Sequence, residues 1–366
     1  MRISNARATI CLNMIVKDEA HVIERCLTSA RPLIDRWCIV DTGSSDDTIA
    51  TIKTVLADVP GEVHQRPWRN FAHNRNEALD LARTQGSDYV LFIDADETFV
   101  VPPDFEWPAL DADAYEFSIQ YDQIRYARVA LVASRVPWRW HGALHEYLDC
   151  GQPHSAGALT TPTILVRHDG ARSRDATTYL KDIAILEEEL RKKPDSTRDM
   201  FYLAQSYRDA GRLSESKRTY QRRAAMGGWD EEVWYSLFQV AVLSERLNEP
   251  PSQVSANYLA AFNTRPSRAE PLVELARYHR LKGEHGLAFL YARHASEMSL
   301  PSDRLFVDEA TYRWRALDEL GVSAYYVGTQ SAKAAGAEAV RRLLDERLAP
   351  PGDLARIEAN RHFYPR

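Results

Sequence analysis

Apolar and polar positions follow two different rules in the two halves of this chain. Up to about residue 170, short apolar runs alternate with segments of helical period. The runs are Ala8–Val16, Trp37–Val40 and Tyr89–Ile93, with Glu62–Gln65 read as a further short strand. Between them, Ala20–Ala30, Ser45–Leu56 and Ala72–Arg83 carry apolar residues at the three-to-four spacing of a helix with one buried face. Strands alternating with helices of this length predict a mostly parallel sheet with helices packed on its faces. Ligands of such sheets sit at the carboxyl ends of the strands. After Val100 the pattern shifts to aromatic-rich strands at Ala114–Gln120, Ala127–Ser134 and Ala158–Val166.

From residue 171 onward the pattern is helical and repeats itself. Phe201–Tyr207 before Gly211, Tyr235–Phe238, Leu272–Tyr278 before Gly283, and Tyr312–Leu317 before Gly321 occupy equivalent places, at offsets of 34, 37 and 40 residues. A period near 34 with alternating small and aromatic positions predicts tetratricopeptide-like helix pairs. Ala204 and Ala276 suit the close helix crossings, and Tyr207 and Tyr278 the gaps beside them. Pro194, Pro266 and Pro301 fall between the pairs, where proline ends helices. Two domains follow, residues 1–170 and 171–366, an α/β unit ahead of an all-α repeat unit.

Composition narrows the class. With 366 residues, 45% hydrophobic and 27% charged, the chain has the make-up of a globular protein rather than a disordered one. No run of ~18 uncharged apolar residues is present, so no membrane insertion is expected. Nor is there a leader with a small-residue cleavage site, and a cytoplasmic location is expected. Cys11, Cys26, Cys38 and Cys150 show neither CxxC nor zinc-site spacing and read as small buried hydrophobes in a reducing compartment. The net charge of −6 divides unevenly. Residues 1–170 hold 16 basic and 24 acidic side chains, a balance of −8, and residues 171–366 hold 30 and 28, a balance of +2. A basic cluster at 208–223 (Arg208, Arg212, Lys217, Arg218, Arg222, Arg223) is either a solvated face or a site for an anionic partner such as nucleic acid.

Four groups carry chemistry. Asp94-Ala95-Asp96 follows the apolar run Tyr89–Ile93, which places two carboxylates at a strand end. Such oxygen ligands suit Mn²⁺ or Mg²⁺ with substrate phosphates as further ligands. Val40-Asp41-Thr42-Gly43-Ser44-Ser45-Asp46-Asp47-Thr48 ends a strand on Asp41. A glycine turn follows, and Ser45 or Asp46 is a candidate cap for the next helix. Residues 138–147, Trp-Arg-Trp-His-Gly-Ala-Leu-His-Glu-Tyr, form a dense polar-aromatic segment. Trp138, Trp140 and His145 are candidates for stacking on a sugar or contacting an acceptor. Glu146 is the candidate general base. The bland alternative makes Trp140 a core residue and pairs Glu146 with a nearby arginine. His168, after the strand ending at Val166, is the fourth candidate, with His145 its competitor as a metal ligand.

The ordered set Met14-Ile15-Val16-Lys17-Asp18-Glu19, VDTGSSDDT at 40–48, HNRNEAL at 73–79 and DADE at 94–97 resembles glycosyltransferase family 2, with its Rossmann-like GT-A fold. Joined to tetratricopeptide-like repeats, it also resembles the sublancin-type peptide glycosyltransferases of that family. The resemblance implies a nucleotide-sugar donor, a UDP-sugar in kind, and an inverting, metal-dependent transfer to a hydroxyl or thiol. Val16, Lys17 and Glu19 then hold the nucleoside, Asp41 the base and Arg75 the nucleotide. Asp94, with Ala95 beside it, faces ribose or metal. Asp96 binds the metal, and His168 resembles the histidine that completes that site. Asn74 stands where the family commonly has alanine. A peptide or protein side chain, an envelope glycan and a modified nucleic-acid base remain as acceptors. Two other classes are weighed. One is a non-catalytic repeat scaffold. The other is a nucleotidyltransferase, against which the first-strand loop Lys17–Ala20 speaks by having no glycine.

Overall fold

In a computed structural model, residues 7–122, 124–167, 169–174 and 177–364 are described. The chain divides into two compact units. The first runs to Asp122 and again from Tyr126 to Pro194; the second holds residues 123–125 and Asp195 onward.

The first unit is built on strands β1 (Ile10–Val16), β2 (Arg36–Asp41), β3 (Gly61–Gln65), β4 (Tyr89–Phe92), β5 (Glu97–Val100), β6 (Ala114–Tyr121), β7 (Ile124–Ala133) and β10 (Ala156–Val166). Strands β8 (Arg139–His141) and β9 (Tyr147–Asp149) form a separate antiparallel pair. The main sheet runs β3-β2-β1-β4-β7-β6-β10-β5. Its first four strands are parallel, and β4 to β7 is the switch to antiparallel. Helices α1 (Ile23–Ala30), α2 (Thr48–Val55) and α3 (Phe71–Thr84) cross between the parallel strands. Strand β1 is buried on both faces, as a central parallel strand must be. The apolar segments read from sequence are these strands, and their carboxyl ends carry the Val16, Asp41 and Asp94 motifs. Helix α4 (Thr178–Lys192) closes this unit before Pro194.

The second unit is a series of antiparallel helix pairs. They are α5 (Thr197–Asp209) with α6 (Leu213–Ala225), α7 (Asp230–Arg246) with α8 (Pro251–Thr264), α9 (Glu270–Leu281) with α10 (His285–Ser296), and α11 (Ala316–Val327) with α12 (Gln330–Asp345), followed by α13 (Pro351–Asn360). Ala204 and Ala276 are buried, with Tyr207 and Tyr278 nearly so. Pro266 and Pro301 fall between pairs, as the repeat pattern predicts. Among the described residues no helix is long and apolar enough to cross a membrane. All four cysteines are free and buried.

Candidate active site

The first two strand-end loops brace each other. Asp41 is completely buried, and its carboxylate accepts the backbone N–H groups of Gly43 and Ser44, each at 3.1 Å. Gly43 has φ +109°, which explains the glycine there. From β1, Asp18 accepts the Ser45 N–H at 2.7 Å and donates its own N–H to Ser44 Oγ at 2.9 Å. The Glu19 N–H donates to Thr48 Oγ1 at 2.8 Å. Asp46, not Ser45, takes the first N–H of α2, that of Thr48 at 3.0 Å. Val16 is buried at the end of β1, where its carbonyl accepts the Thr42 N–H at 2.9 Å, and Lys17 is exposed. The motif around Asp41 thus encodes a rigid pair of loops at the mouth of the sheet.

Helix α3 is the frame for the rest. Asn70 caps it by accepting the His73 N–H at 2.8 Å. Asn74 is fully buried; its Oδ1 accepts the Arg69 N–H at 2.9 Å and its amide donates to the Pro67 carbonyl at 3.1 Å. That is what the asparagine does where alanine was expected. Further along, one stripe of α3 holds the 136–146 segment. Asn76 makes a reciprocal pair with the Trp140 backbone, at 2.9 and 2.8 Å. Asp80 meets Arg139 at 2.7 Å. Arg83 donates to the carbonyls of Val136 and Trp138 at 2.9 and 3.0 Å.

One residue before that stripe, Arg75 joins three sequence-predicted residues. Its Nη2 donates to Asp94 Oδ1 at 2.6 Å, its Nε donates to Glu146 Oε1, and its guanidinium lies 5.0 Å from the centre of the Trp140 ring. The Arg75 and Glu146 side chains are only 12% and 9% exposed. Arg75 was expected on the nucleotide and Glu146 free to act as base; the structure pairs them. Burial alone would push the Asp94 carboxyl up. Arg75 and Arg128 beside it outweigh that and hold it below the ordinary carboxylate range. Ala95 is buried behind it.

Two supporting groups escaped the sequence reading. Glu97, the last letter of DADE, is buried and accepts the Asp94 N–H at 3.1 Å. Arg128 of β7 grips Glu97 in a two-pronged pair at 2.9 and 2.6 Å. The other group is the 169–171 segment. Asp169 takes both prongs of Arg25, at 2.9 and 2.7 Å, and the Ala171 N–H donates to Glu19 at 3.0 Å. Gly170 lies flat against Asp96, where a Cβ would come within 3.3 Å of the carboxylate. The Glu19 carboxyl is pushed up to about 7, mainly by burial, with Asp96 and Asp94 adding to it.

Among the described residues no three His, Cys, Asp or Glu side chains are arranged to hold a metal ion. His168 lies outside the described residues. The donor set still fits a hard cation. Asp96 is a partly exposed carboxylate whose negative charge is felt by Glu19. Mg²⁺-type sites commonly use one or two carboxylates and take their other ligands from substrate phosphates.

The remaining candidates separate. Trp138 is 1% exposed and packs edge-on to His154, so it belongs to the core and offers no face to a sugar. Trp140 is half-buried, edge-on to Phe92. His145 is exposed in the loop between β8 and β9, with φ +50°. The 208–223 cluster is not a free basic surface. Arg208 turns to Tyr235 and Gln239, Arg212 to Glu215, Lys217 to Glu249, and Arg223 is buried on Glu232. Arg218 and Arg222 remain exposed.

Residues 11–110 match glycosyl transferase family 2. A TPR repeat-containing protein of Synechococcus elongatus is 27% identical over 319 residues, covering 81% of this chain and 77% of that one. The glycosyltransferase SunS of Bacillus phage SPbeta is 26% identical over 210 residues, 53% of this chain. This chain thereby spans 48% of SunS, about half its length. An uncharacterized glycosyltransferase of Rickettsia felis is 32% identical over 84 residues, 23% of this chain and 27% of that one.

Proposed function

For a chain that is a glycosyltransferase, with a family 2 domain followed by tetratricopeptide-like repeats, we propose a metal-dependent, inverting transfer from a UDP-sugar to a peptide or protein side chain. The observation that carries the reading is the meeting of Asp94, Arg75 and Glu146 at the carboxyl end of β4, inside 12% of full exposure for the arginine. The donor lies across the braced loops of Val16, Lys17, Glu19 and Asp41, with its ribose near Asp94 and Ala95. Asp96, with His168 from its sequence position, would hold Mn²⁺ or Mg²⁺ against the diphosphate. When bound, that cation neutralises charge developing on the leaving nucleoside diphosphate.

Glu146 takes the proton of the acceptor hydroxyl or thiol as its oxygen or sulfur bonds to the anomeric carbon. The bond from that carbon to the diphosphate oxygen breaks on the opposite face, which inverts the centre. His145 and Trp140 border the acceptor side. A peptide acceptor is favoured because helical repeats suit extended chains. The inward-turned arginines at 208–223 withdraw the main support for nucleic acid.

The test is release of nucleoside diphosphate from a panel of UDP-, GDP- and dTDP-sugars, with and without Mn²⁺. Metal-dependent release from one donor, abolished in Asp96→Ala, is expected; full activity of that variant would sink the metal assignment. Glu146→Gln is expected to bind donor normally and lose transfer, and retained transfer would place the base elsewhere.

A further inference from the structure

We infer that Arg25 of α1 is a positioning residue for the metal side of the site: through Asp169 it holds the 169–171 segment against Asp96. This rests on the reading of Asp96 as a metal ligand. Three consecutive residues of that segment are fixed in place. Asp169 takes both prongs of Arg25, at 2.9 and 2.7 Å, and its carbonyl lies 2.8 Å from His21 Nε2. Gly170 sets its backbone against Asp96, where an added Cβ would lie 3.2 Å from the Asp96 Cβ and 3.3 Å from its Oδ2. The Ala171 N–H donates to Glu19 at 3.0 Å. His168 immediately precedes Asp169 in the sequence. The segment that Arg25 holds therefore touches one proposed ligand and adjoins the other.

The same helix holds the other limb of the site. The Cys26 thiol, next along α1, donates to the Asp94 carbonyl at 3.4 Å. Ser29 Oγ accepts the Phe99 N–H of β5 at 2.9 Å. Helix α1 thus grips the Asp94–Asp96 turn from both of its ends, and Arg25 beside Cys26 adds the segment from the far side of the chain. The two limbs are more than seventy residues apart in sequence, and their register is set by one short helix. The Arg25 and Asp169 side chains are 34% and 43% exposed, and a pair that wet contributes little to global stability. Its worth lies in geometry. A planar fork fixes a carboxylate in both place and direction, as a lysine ammonium does not. Groups behind the ligands of a metal ion tune its affinity without touching it.

The test compares wild type, Arg25→Ala and Arg25→Lys in the full chain; the lysine variant keeps the charge and the stem and guards against loss of fold. Calorimetry measures Mn²⁺ affinity in the presence of UDP, and UDP affinity with the metal chelated. Backbone hydrogen exchange is followed over residues 169–174 and over β1. Mn²⁺ affinity is expected to fall about 5-fold or more in both variants, since lysine cannot reproduce the two-pronged pair. UDP affinity without metal is expected within about 2-fold of wild type, a split that a general loosening of the domain would not give. Exchange at 169–174 is expected to quicken about 5-fold or more while β1 stays protected. The melting temperature is expected within about 3 °C of wild type. Mn²⁺ affinity within about 2-fold of wild type in Arg25→Ala would overturn the inference. So would unchanged exchange at 169–174, or a loss of metal-free UDP binding equal to the loss of Mn²⁺ binding. Failure of the wild type to bind Mn²⁺ beside UDP would instead sink the metal reading, with the inference falling along with it.

Discussion

Asn74 shows how much one side chain in a motif can carry. It closes the turn into α3 by satisfying one backbone donor and one acceptor. Asn74→Ala is expected to lower stability by about 1–2 kcal/mol, read as a shifted urea midpoint with an unchanged slope. An unchanged midpoint would remove the asparagine from the list of structural needs. The cysteines make a second residue-scale case. Burial pushes the Cys11 and Cys38 thiols from an ordinary 9.0 up to about 12, with Cys38 adding to Cys11 and Glu62 to Cys38. They stay protonated at neutral pH and react slowly with iodoacetamide until the chain unfolds. The sign for stability follows. Between pH 9 and about 12 the unfolded chain releases protons that the folded chain keeps, so stability falls as pH rises through that window. Rapid alkylation of both thiols in the native protein at pH 8 would contradict their burial.

At the scale of elements, the site is a matter of α3 and of the segment at 169–171. Helix α3 sends Asn76, Asp80 and Arg83 to one target, because residues one helical turn apart share a face, and Arg75 beside Asn76 reaches Glu146 of the same segment. The 169–171 segment is held by Arg25 and Glu19 and rests on Asp96 with no side chain between. Gly170→Ala would push a methyl toward the Asp96 carboxylate. Loss of about 10-fold in Mn²⁺-dependent UDP binding is expected from such a disturbed support, with the melting temperature little changed. Equal binding by the variant would show that Asp96 moves without penalty.

At the scale of the whole molecule, the repeats are held by buried charge as well as by apolar stacking. Arg268 has no exposed side chain; it pairs with Glu270 at 2.7 Å and Asp303 at 3.2 Å and lies 3.7 Å from the Trp234 ring centre. It also donates to the carbonyls of Leu305 and Phe306, tying down the long connection between α10 and α11. Arg268→Ala takes from the buried Glu270 its arginine, while Asp303 keeps Arg265, and a loss of about 3 kcal/mol is expected in denaturant unfolding. A loss under about 1 kcal/mol would mean that the connection is held by other contacts. That same connection stretches the repeat, so that α11 begins at Ala316, well beyond one regular period after α9 at Glu270. The last offset of 40 residues in the sequence was its trace.

The sequence by itself determined the layered α/β unit, the helical repeats and the strand-end motifs. Each of those signals is local: an apolar run, a three-to-four spacing, or a cluster within ten residues. The short strands β8 and β9, three residues each, and β5, which begins inside DADE, carry too little pattern to read. Only the tertiary structure decided which charges meet. Arg128 finds Glu97 across 31 residues, and Arg25 finds Asp169 across 144. An arginine's partner is set by the strand order that brings it near, and strand order is not written in any one segment. Trp138 and Trp140 look alike in sequence, but Trp138 precedes β8 and is packed in the core, while Trp140 lies within β8 beside Arg75. Glu146 reads as a base from its neighbours, and packing gave it to Arg75, because two opposite charges brought together away from water cannot be left unpaired.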